Sequence, residues 1–159
     1  MTHRALVIGL SVFGFAAVGA IGDDAAAETT AAFAGRAKYV SQFSCLAPPG
    51  GAEPSLTNTC DSSRLLWIPV TVKSAGGTFQ VKASVYGSAG ARRVNCVAVA
   101  YTKDATTHWE SGNIATTGAL PTQQTLNLGT VFVPASGTLH FACGVEPDGI
   151  VHSVEWVAP

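Results

Sequence analysis

The stretch "TFQVKASVYG", residues 78–87, has the plainest alternation of apolar and polar side chains in this chain. Its apolar residues stand at every second position, at Phe79, Val81, Ala83 and Val85. Successive side chains of a strand point to opposite faces, so a period of two predicts a strand with one buried and one wet face. Such strands are typical of antiparallel sheets.

The same period recurs along most of the chain. Further strands are predicted in "KYVSQFSC" (38–45), "RLLWIPV" (64–70), "RRVNCVAVAYT" (92–102), "QTLNLGTVFV" (124–133) and "TLHFACGVEPDGIVHSVEW" (138–156). Turn-rich segments separate them about every ten residues, and no stretch has a sustained helical period. The chain is therefore predicted to be all-β, an antiparallel two-sheet β-sandwich or jelly roll of seven to eight strands.

Two of these strands carry more specific expectations. Pro69 lies inside the strand at 64–70, and because proline cannot donate to a ladder, that strand is predicted to be an edge or to carry a bulge. In "QTLNLGTVFV", strict alternation places four side chains on one face: Leu126, Leu128, Thr130 and Phe132.

The N-terminus is typical of a secretory signal peptide. Arg4 precedes an uncharged apolar run at 5–22, and small residues follow it. The pattern predicts a signal helix within a signal peptide at 1–27, cleaved after Ala27, with cleavage after Ala20 as the alternative. A retained anchor is the competing interpretation, because roughly 17 to 25 apolar residues span a bilayer.

Cleavage after Ala27 leaves 132 residues, enough for one domain with its own core. Residues 28–37 contain few large apolar side chains and are predicted to form a flexible arm. Residues 38–159 are predicted to form the folded domain. We expect no stable membrane insertion after cleavage.

The cysteines agree with export to an oxidising compartment. There are four, at Cys45, Cys60, Cys96 and Cys143. An even number in a small exported chain predicts two disulfides, with three possible connectivities. We favour Cys45 with Cys60, which would tie the ends of the proline- and glycine-rich loop between them, and Cys96 with Cys143.

Charge limits the classes of partner. After cleavage the chain keeps eight Lys and Arg against eight Asp and Glu, so its formal net charge is zero. Nucleic acids and anionic membranes select basic surfaces, so neither is an expected partner. Carbohydrate or another extracellular protein is the partner class that remains.

The C-terminal stretch at 138–156 contains several residue types used in metal and catalytic sites. We interpret it as a hairpin around the turn "EPDG", with Cys143 opposite His152 on one face and His140 opposite Glu155 on the other. A three-residue loop would shift the pairing by one and mix the two faces. In the first register His140 and Cys143 point to opposite faces, so they cannot share a metal.

Catalytic motifs are not evident elsewhere. "YGSAG" has tyrosine where a nucleophile elbow needs glycine, and His108 near Asp104 and Glu110 is only a local grouping in a turn-rich segment. No zinc-protease, phosphate-loop or calcium-loop pattern occurs in the sequence. We expect no metal and no cofactor, and a non-enzymatic role is favoured over an enzyme.

Exposed aromatic side chains are the remaining functional signal. Trp67 is out of phase with Leu66 and Ile68, so it is predicted to point outward. Trp109 lies in a polar segment. Indole rings offer flat apolar faces on which sugar rings can stack, so Trp67 and Trp109 are the predicted ligand-binding residues.

Taken together, the residues of "VKASVYG", Cys96, Cys143 and the final "IVHS" resemble a type of small exported bacterial protein found in myxobacteria and related groups. Proteins of that type have a signal peptide followed by a β-sandwich with a late cysteine before a turn. The resemblance implies the sandwich fold and the pairing of Cys96 with Cys143. It implies no activity and no catalytic residues.

The sequence thus favours an exported, non-enzymatic β-sandwich module that binds a ligand or a surface. One alternative is a small extracellular hydrolase or metal-dependent enzyme, which would need His108, His140 or His152 beside an acid in a concave pocket. The other is a secreted inhibitor that presents the loop between Cys45 and Cys60.

Overall fold

The structure is a computed structural model that describes residues 27–38, 40–49, 54–72 and 76–158. Its strands are β1 (Ala27–Ala31), β2 (Arg36–Ala37), β3 (Leu46–Ala47), β4 (Leu56–Asn58), β5 (Arg64–Val70), β6 (Gly77–Gly87), β7 (Val94–Tyr101), β8 (His108–Glu110), β9 (Ile114–Ala115), β10 (Thr122–Val133), β11 (Thr138–Val145) and β12 (Ile150–Val157). Two 3-10 helices span Ala32–Ala34 and Val40–Cys45. The predicted signal peptide, apart from Ala27, lies outside the described residues.

These strands form two antiparallel sheets of six strands each. Sheet I has the order β10-β6-β12-β4-β3, and β1 also pairs with β12. Sheet II has the order β2-β5-β11-β7-β8, and β9 also pairs with β7. The prediction of an all-β fold with two antiparallel sheets is confirmed. The predicted seven to eight strands were too few, because edge strands of two residues, such as β2 and β9, are too short to show an alternation.

One hydrophobic core lies between the two sheets. The apolar residues of β6 that the alternation predicted to be buried are each at most 1% exposed: Phe79, Val81, Ala83 and Val85. They belong to a single cluster with Leu66 and Ile68 of β5 and Phe141 of β11, in the other sheet. Each sheet therefore buries one face against the other and leaves its second face toward solvent.

The chain changes sheet at almost every connection. Sheet II contains β5, β7 and β11, while sheet I contains β6, β10 and β12. The hairpin predicted at 138–156 is therefore wrong, because its two strands, β11 and β12, lie in different sheets. An alternating pattern specifies which face of a strand is buried, but it does not specify the neighbouring strand.

A bulge changes the phase of β10. Asn127 pairs with Lys82 and Gly129 with Val81, so the intervening Leu128 has no register partner. Gly129 has φ +83°, a conformation that glycine adopts without steric cost. After the bulge Val131 and Val133 are buried and Phe132 is 44% exposed, so the prediction that Phe132 shares the face of Leu126 is wrong.

Pro69 lies at an edge, as predicted. Strand β5 pairs with β11 along its full length, and Pro69 is the register partner of His140 on that side. On its other side β5 pairs with β2 only at Leu66 and Trp67. Pro69 has no amide hydrogen to donate, and this lack therefore removes no ladder hydrogen bond between described strands.

Residues 27–37 span one side of the domain between the two sheets. Strand β1 pairs with β12 of sheet I, Ala32 is fully buried in the core, and β2 pairs with β5 of sheet II. This differs from the flexible arm expected at 28–37. Backbone pairing with β12 and β5 holds the segment in place. Such pairing does not require alternating apolar side chains, so the sequence does not reveal it.

The segment predicted as the first strand, 38–45, instead contains the 3-10 helix Val40–Cys45. A short alternation does not exclude a 3-10 helix, because so few residues do not distinguish the period of two of a strand from the period of three of a 3-10 helix. The helix ends at Cys45, which is bonded to Cys60 and holds this segment beside β4.

Both favoured disulfides are confirmed. Cys96 of β7 and Cys143 of β11 are register partners with a Cα–Cα distance of 4.1 Å, and both are fully buried. This separation fits a non-hydrogen-bonded pair of an antiparallel ladder, in which facing side chains come closest together. Cys45 and Cys60 join the two ends of the long loop, with a Cα–Cα distance of 5.1 Å.

Candidate binding surface

The outer face of sheet II carries a row of aromatic rings. In β5, β11 and β7 the residues flanking Trp67, His140 and Tyr101 point into the core, as the burial of Leu66, Leu139 and Ala100 shows. Alternation therefore directs these three rings outward. In β8, Trp109 packs against the core, so the neighbouring His108 also lies on the outer face.

The four rings form a continuous chain across four strands, which we call the aromatic row: Trp67, His140, Tyr101 and His108. The centroid of Trp67 is 5.8 Å from that of His140, which is 5.9 Å from that of Tyr101. Tyr101 is in turn 5.8 Å from His108. Trp67 and Tyr101 meet His140 edge to face, an arrangement that the ring quadrupole favours.

Short side chains lie under the row. Ala142 is the register partner of Trp67, and Val99 is the register partner of His140. Both point outward, yet Ala142 is only 7% exposed and Val99 only 4%. The rings therefore lie over these residues and cover them.

His140 is the central member of the row and is held in place. Its Nε2 lies 3.2 Å from the Thr138 hydroxyl. Burial lowers the pKa of His140 below its ordinary value of 6.5, so the imidazole is neutral at pH 7. A neutral ring packs against two aromatic neighbours without the desolvation cost that a charged ring would carry.

Trp67 combines a half-buried ring with a polar atom that lacks a partner. Its Nε1 is covered and has no hydrogen-bond partner among the residues that the structure describes. The ammonium of Lys38 lies 5.9 Å from the ring centroid, a cation–π distance. Arg36, the register partner of Trp67 on β2, is exposed on the same face.

The two predicted ligand-binding residues do not share a surface. Trp109 lies on the edge strand β8 rather than in a loop, and its ring packs against the core and against Phe132 of β10, at a centroid distance of 5.3 Å. Neither tryptophan is fully buried, but only Trp67 belongs to the aromatic row. Sequence reasoning missed Tyr101 and His140, although His140 lies between the core residues Leu139 and Phe141 and Tyr101 follows the core residue Ala100.

The residues of the predicted C-terminal hairpin are separated between the sheets. Cys143 is bonded to Cys96, so its predicted position opposite His152 of β12 is wrong. The predicted pairing of His140 with Glu155 is also wrong, because Glu155 lies 3.4 Å from the ammonium of Lys82. Facing strands in different sheets cannot form the cross-strand ladder that the prediction assumed.

The remaining titratable groups form small local contacts. The His108 Nε2 lies 3.5 Å from Glu110 at the exposed edge of sheet II. Asp104 accepts hydrogen bonds from the hydroxyls of Thr102 and Thr106 and from the Thr106 amide, which lower the pKa of its carboxyl. No cluster of three potential metal ligands occurs within the described ranges.

A separate groove of about 630 Å³ lies between the turns 89–93 and 146–148. The Arg92 guanidinium lies 3.7 Å from the Asp148 carboxylate across it. Both residues have positive φ, +66° and +58°. Buried Asn58 fixes the second turn by donating to the Val145 carbonyl at 2.8 Å. The charges of Arg92 and Asp148 in this groove are therefore already paired with each other.

Comparison with models of protein families gives no match. Comparison with curated proteins also gives none. Among the described residues, no helix has both the length and the apolar character needed to cross a bilayer. Function is therefore inferred from the chemistry of the aromatic row.

Proposed function

We propose that this protein is an exported, non-enzymatic β-sandwich module that binds carbohydrate on the outer face of sheet II. The aromatic row is the observation that carries the proposal. It presents one indole, one phenol and two imidazoles in contact with one another on one face of the sheet. Such a face suits an extended ligand that lies across the strands.

Sugar rings are the ligand class that this surface chemistry favours. Their axial C–H groups are weakly positive and can lie on the negative face of an indole, while their hydroxyls stay in contact with water or polar side chains. Tyr101, His108 and Thr138 supply polar groups beside the rings. A hydrolase is less well supported, because the His108–Glu110 pair is more than half exposed, at 57% for each side chain.

Export is supported by the two disulfides, which are typical of oxidising, extracellular-type compartments. The signal peptide predicted at 1–27 would direct the chain there. We also propose that the chain groups with the small exported proteins of myxobacterial type that it resembles. Export and cleavage of the signal peptide are tested by isolating the protein from the medium or periplasm of its source and determining its N-terminus.

We further infer that the sandwich is a jelly roll. If β8 and β9 count as one interrupted edge strand, eight strands run from β4 to β12. Sheet I then contains the first, eighth, third and sixth of these, and sheet II the second, seventh, fourth and fifth. This order is that of two Greek keys wound together, an architecture that lectin domains also use.

The test of binding is a glycan array probed with the folded, oxidised domain, followed by titration calorimetry on the best ligands. We expect Trp67→Ala to abolish binding, because it removes the largest flat face of the row. Tyr86→Ala is the matched control, since Tyr86 is a partly buried aromatic residue on the outer face of sheet I. Equal loss in both variants, or unchanged binding by Trp67→Ala, would refute this site.

A further inference from the structure

The charges around the aromatic row are unevenly distributed. Arg36 and Lys38 alternate with buried Ala37, so both side chains point to the outer face of sheet II beside Trp67. Glu110 lies at the opposite edge of the sheet, on β8, where it pairs with His108. Two cationic side chains therefore flank the end of the row that contains the indole, although the chain after cleavage has no formal net charge.

From this arrangement we infer that the ligand is an acidic polysaccharide, whose uronate carboxylates bind Arg36 and Lys38 while a sugar ring stacks on Trp67. The inference rests on the proposed carbohydrate-binding function and adds the chemical class of the sugar. A planar guanidinium can donate two parallel hydrogen bonds to a carboxylate, and an ammonium adds a second positive charge.

The positions of the two cations fit this role. Arg36 is the register partner of Trp67 on the adjacent strand, and the Lys38 ammonium is 5.9 Å from the indole centroid. A carboxylate attached to a ring stacked on Trp67 would therefore lie within reach of both side chains. Strands are spaced about 4.8 Å apart, so the five strands from β2 to β8 offer roughly 19 Å to an extended chain.

Two cations elsewhere on the domain lie near carboxylates. Lys82 lies 3.4 Å from Glu155 on the outer face of sheet I, and Arg92 lies 3.7 Å from Asp148 at one end of the sandwich. For Arg36, no carboxylate lies within ion-pair distance in the described part of the chain. The side chain of Arg36 is thus available to an anion from outside.

The test uses polygalacturonate, alginate and hyaluronate, each paired with its carboxyl-reduced, neutral form. Affinity is measured by calorimetry at low and at physiological ionic strength. We expect the domain to prefer at least one acidic polymer over its neutral form, and added salt to weaken that binding through screening. In Arg36→Gln/Lys38→Gln we expect about tenfold weaker binding of the acidic polymer and unchanged binding of the neutral one.

The control variant is Arg92→Gln/Arg93→Gln, which removes the same number of cations outside sheet II. Equal affinity for acidic and neutral polymers, with loss of both in Trp67→Ala, would overturn the acidic ligand and leave carbohydrate binding intact. Failure to bind any polymer or arrayed glycan would overturn both proposals. An equal effect of the two double variants would show a nonspecific charge effect and also overturn the inference.

Discussion

Removing the disulfide between Cys96 and Cys143 should cost more stability than removing the one between Cys45 and Cys60. The first closes 47 residues and the second 15, so the loop-entropy model assigns about 4 and about 3 kcal/mol to them. Both sulfurs of the first bond are fully buried. In Cys96→Ala/Cys143→Ala they leave a void that adds up to about 1 kcal/mol.

The assay is guanidinium unfolding followed by tryptophan fluorescence, to which Trp156 contributes because it is 4% exposed in the fold and becomes wet on unfolding. We expect the Cys96/Cys143 double variant to lose about 4 to 5 kcal/mol and the Cys45/Cys60 double variant about 3 kcal/mol. If the slope of free energy against denaturant is unchanged, the midpoints can be compared directly. An equal loss in both variants, or less than about 1 kcal/mol in the first, would refute this account of the core.

Three further predictions test local features of the fold. Gly129→Ala should lower the free energy of unfolding by about 1 to 2 kcal/mol, because residue 129 has a positive φ. Gly90→Ala is the control: its Cβ would meet nothing within 4 Å, so the free energy of unfolding should change by less than about 0.5 kcal/mol. Urea unfolding of both variants measures the difference. Val131→Ala should cost about 2 kcal/mol and Phe132→Ala less than about 1, since Val131 is 2% and Phe132 44% exposed; the reverse order in thermal unfolding would contradict the bulge. Hydrogen bonds lower the folded pKa of Asp104 below 3.8, so its ionised form stabilises the fold above that pH; the stability difference between wild type and Asp104→Asn, measured at pH 7 and pH 3, should shrink at the lower pH.

The sequence predicted local features more reliably than long-range ones. The alternation in β6 identified its buried face. Successive side chains of a strand point to opposite faces, so the apolar residues at every second position are buried together. Pro69 correctly indicated an edge, and the cysteine count indicated two disulfides. Each of these depends on a residue and its immediate neighbours.

Features that depend on distant pairing were missed. The bulge at Gly129 reverses the alternation of β10, and a lone glycine in an apolar stretch does not specify such a reversal. The row that includes Tyr101 and His140 arises only when β5, β11, β7 and β8 lie side by side. The alternation of β5 could predict that Trp67 points outward. It could not predict which residues of the other strands lie beside Trp67, because those strands are far apart in sequence.

The pairing of β1 with β12 has a consequence for engineering the domain. Ala27 is the register partner of Val157, so the two ends of the described fold lie on neighbouring strands. A short linker could join them, and the chain could be reopened at the exposed turn of Ala135 and Ser136. Such a circular permutant should keep both sheets and both disulfides, because the backbone from 27 to 157 is almost a closed ring.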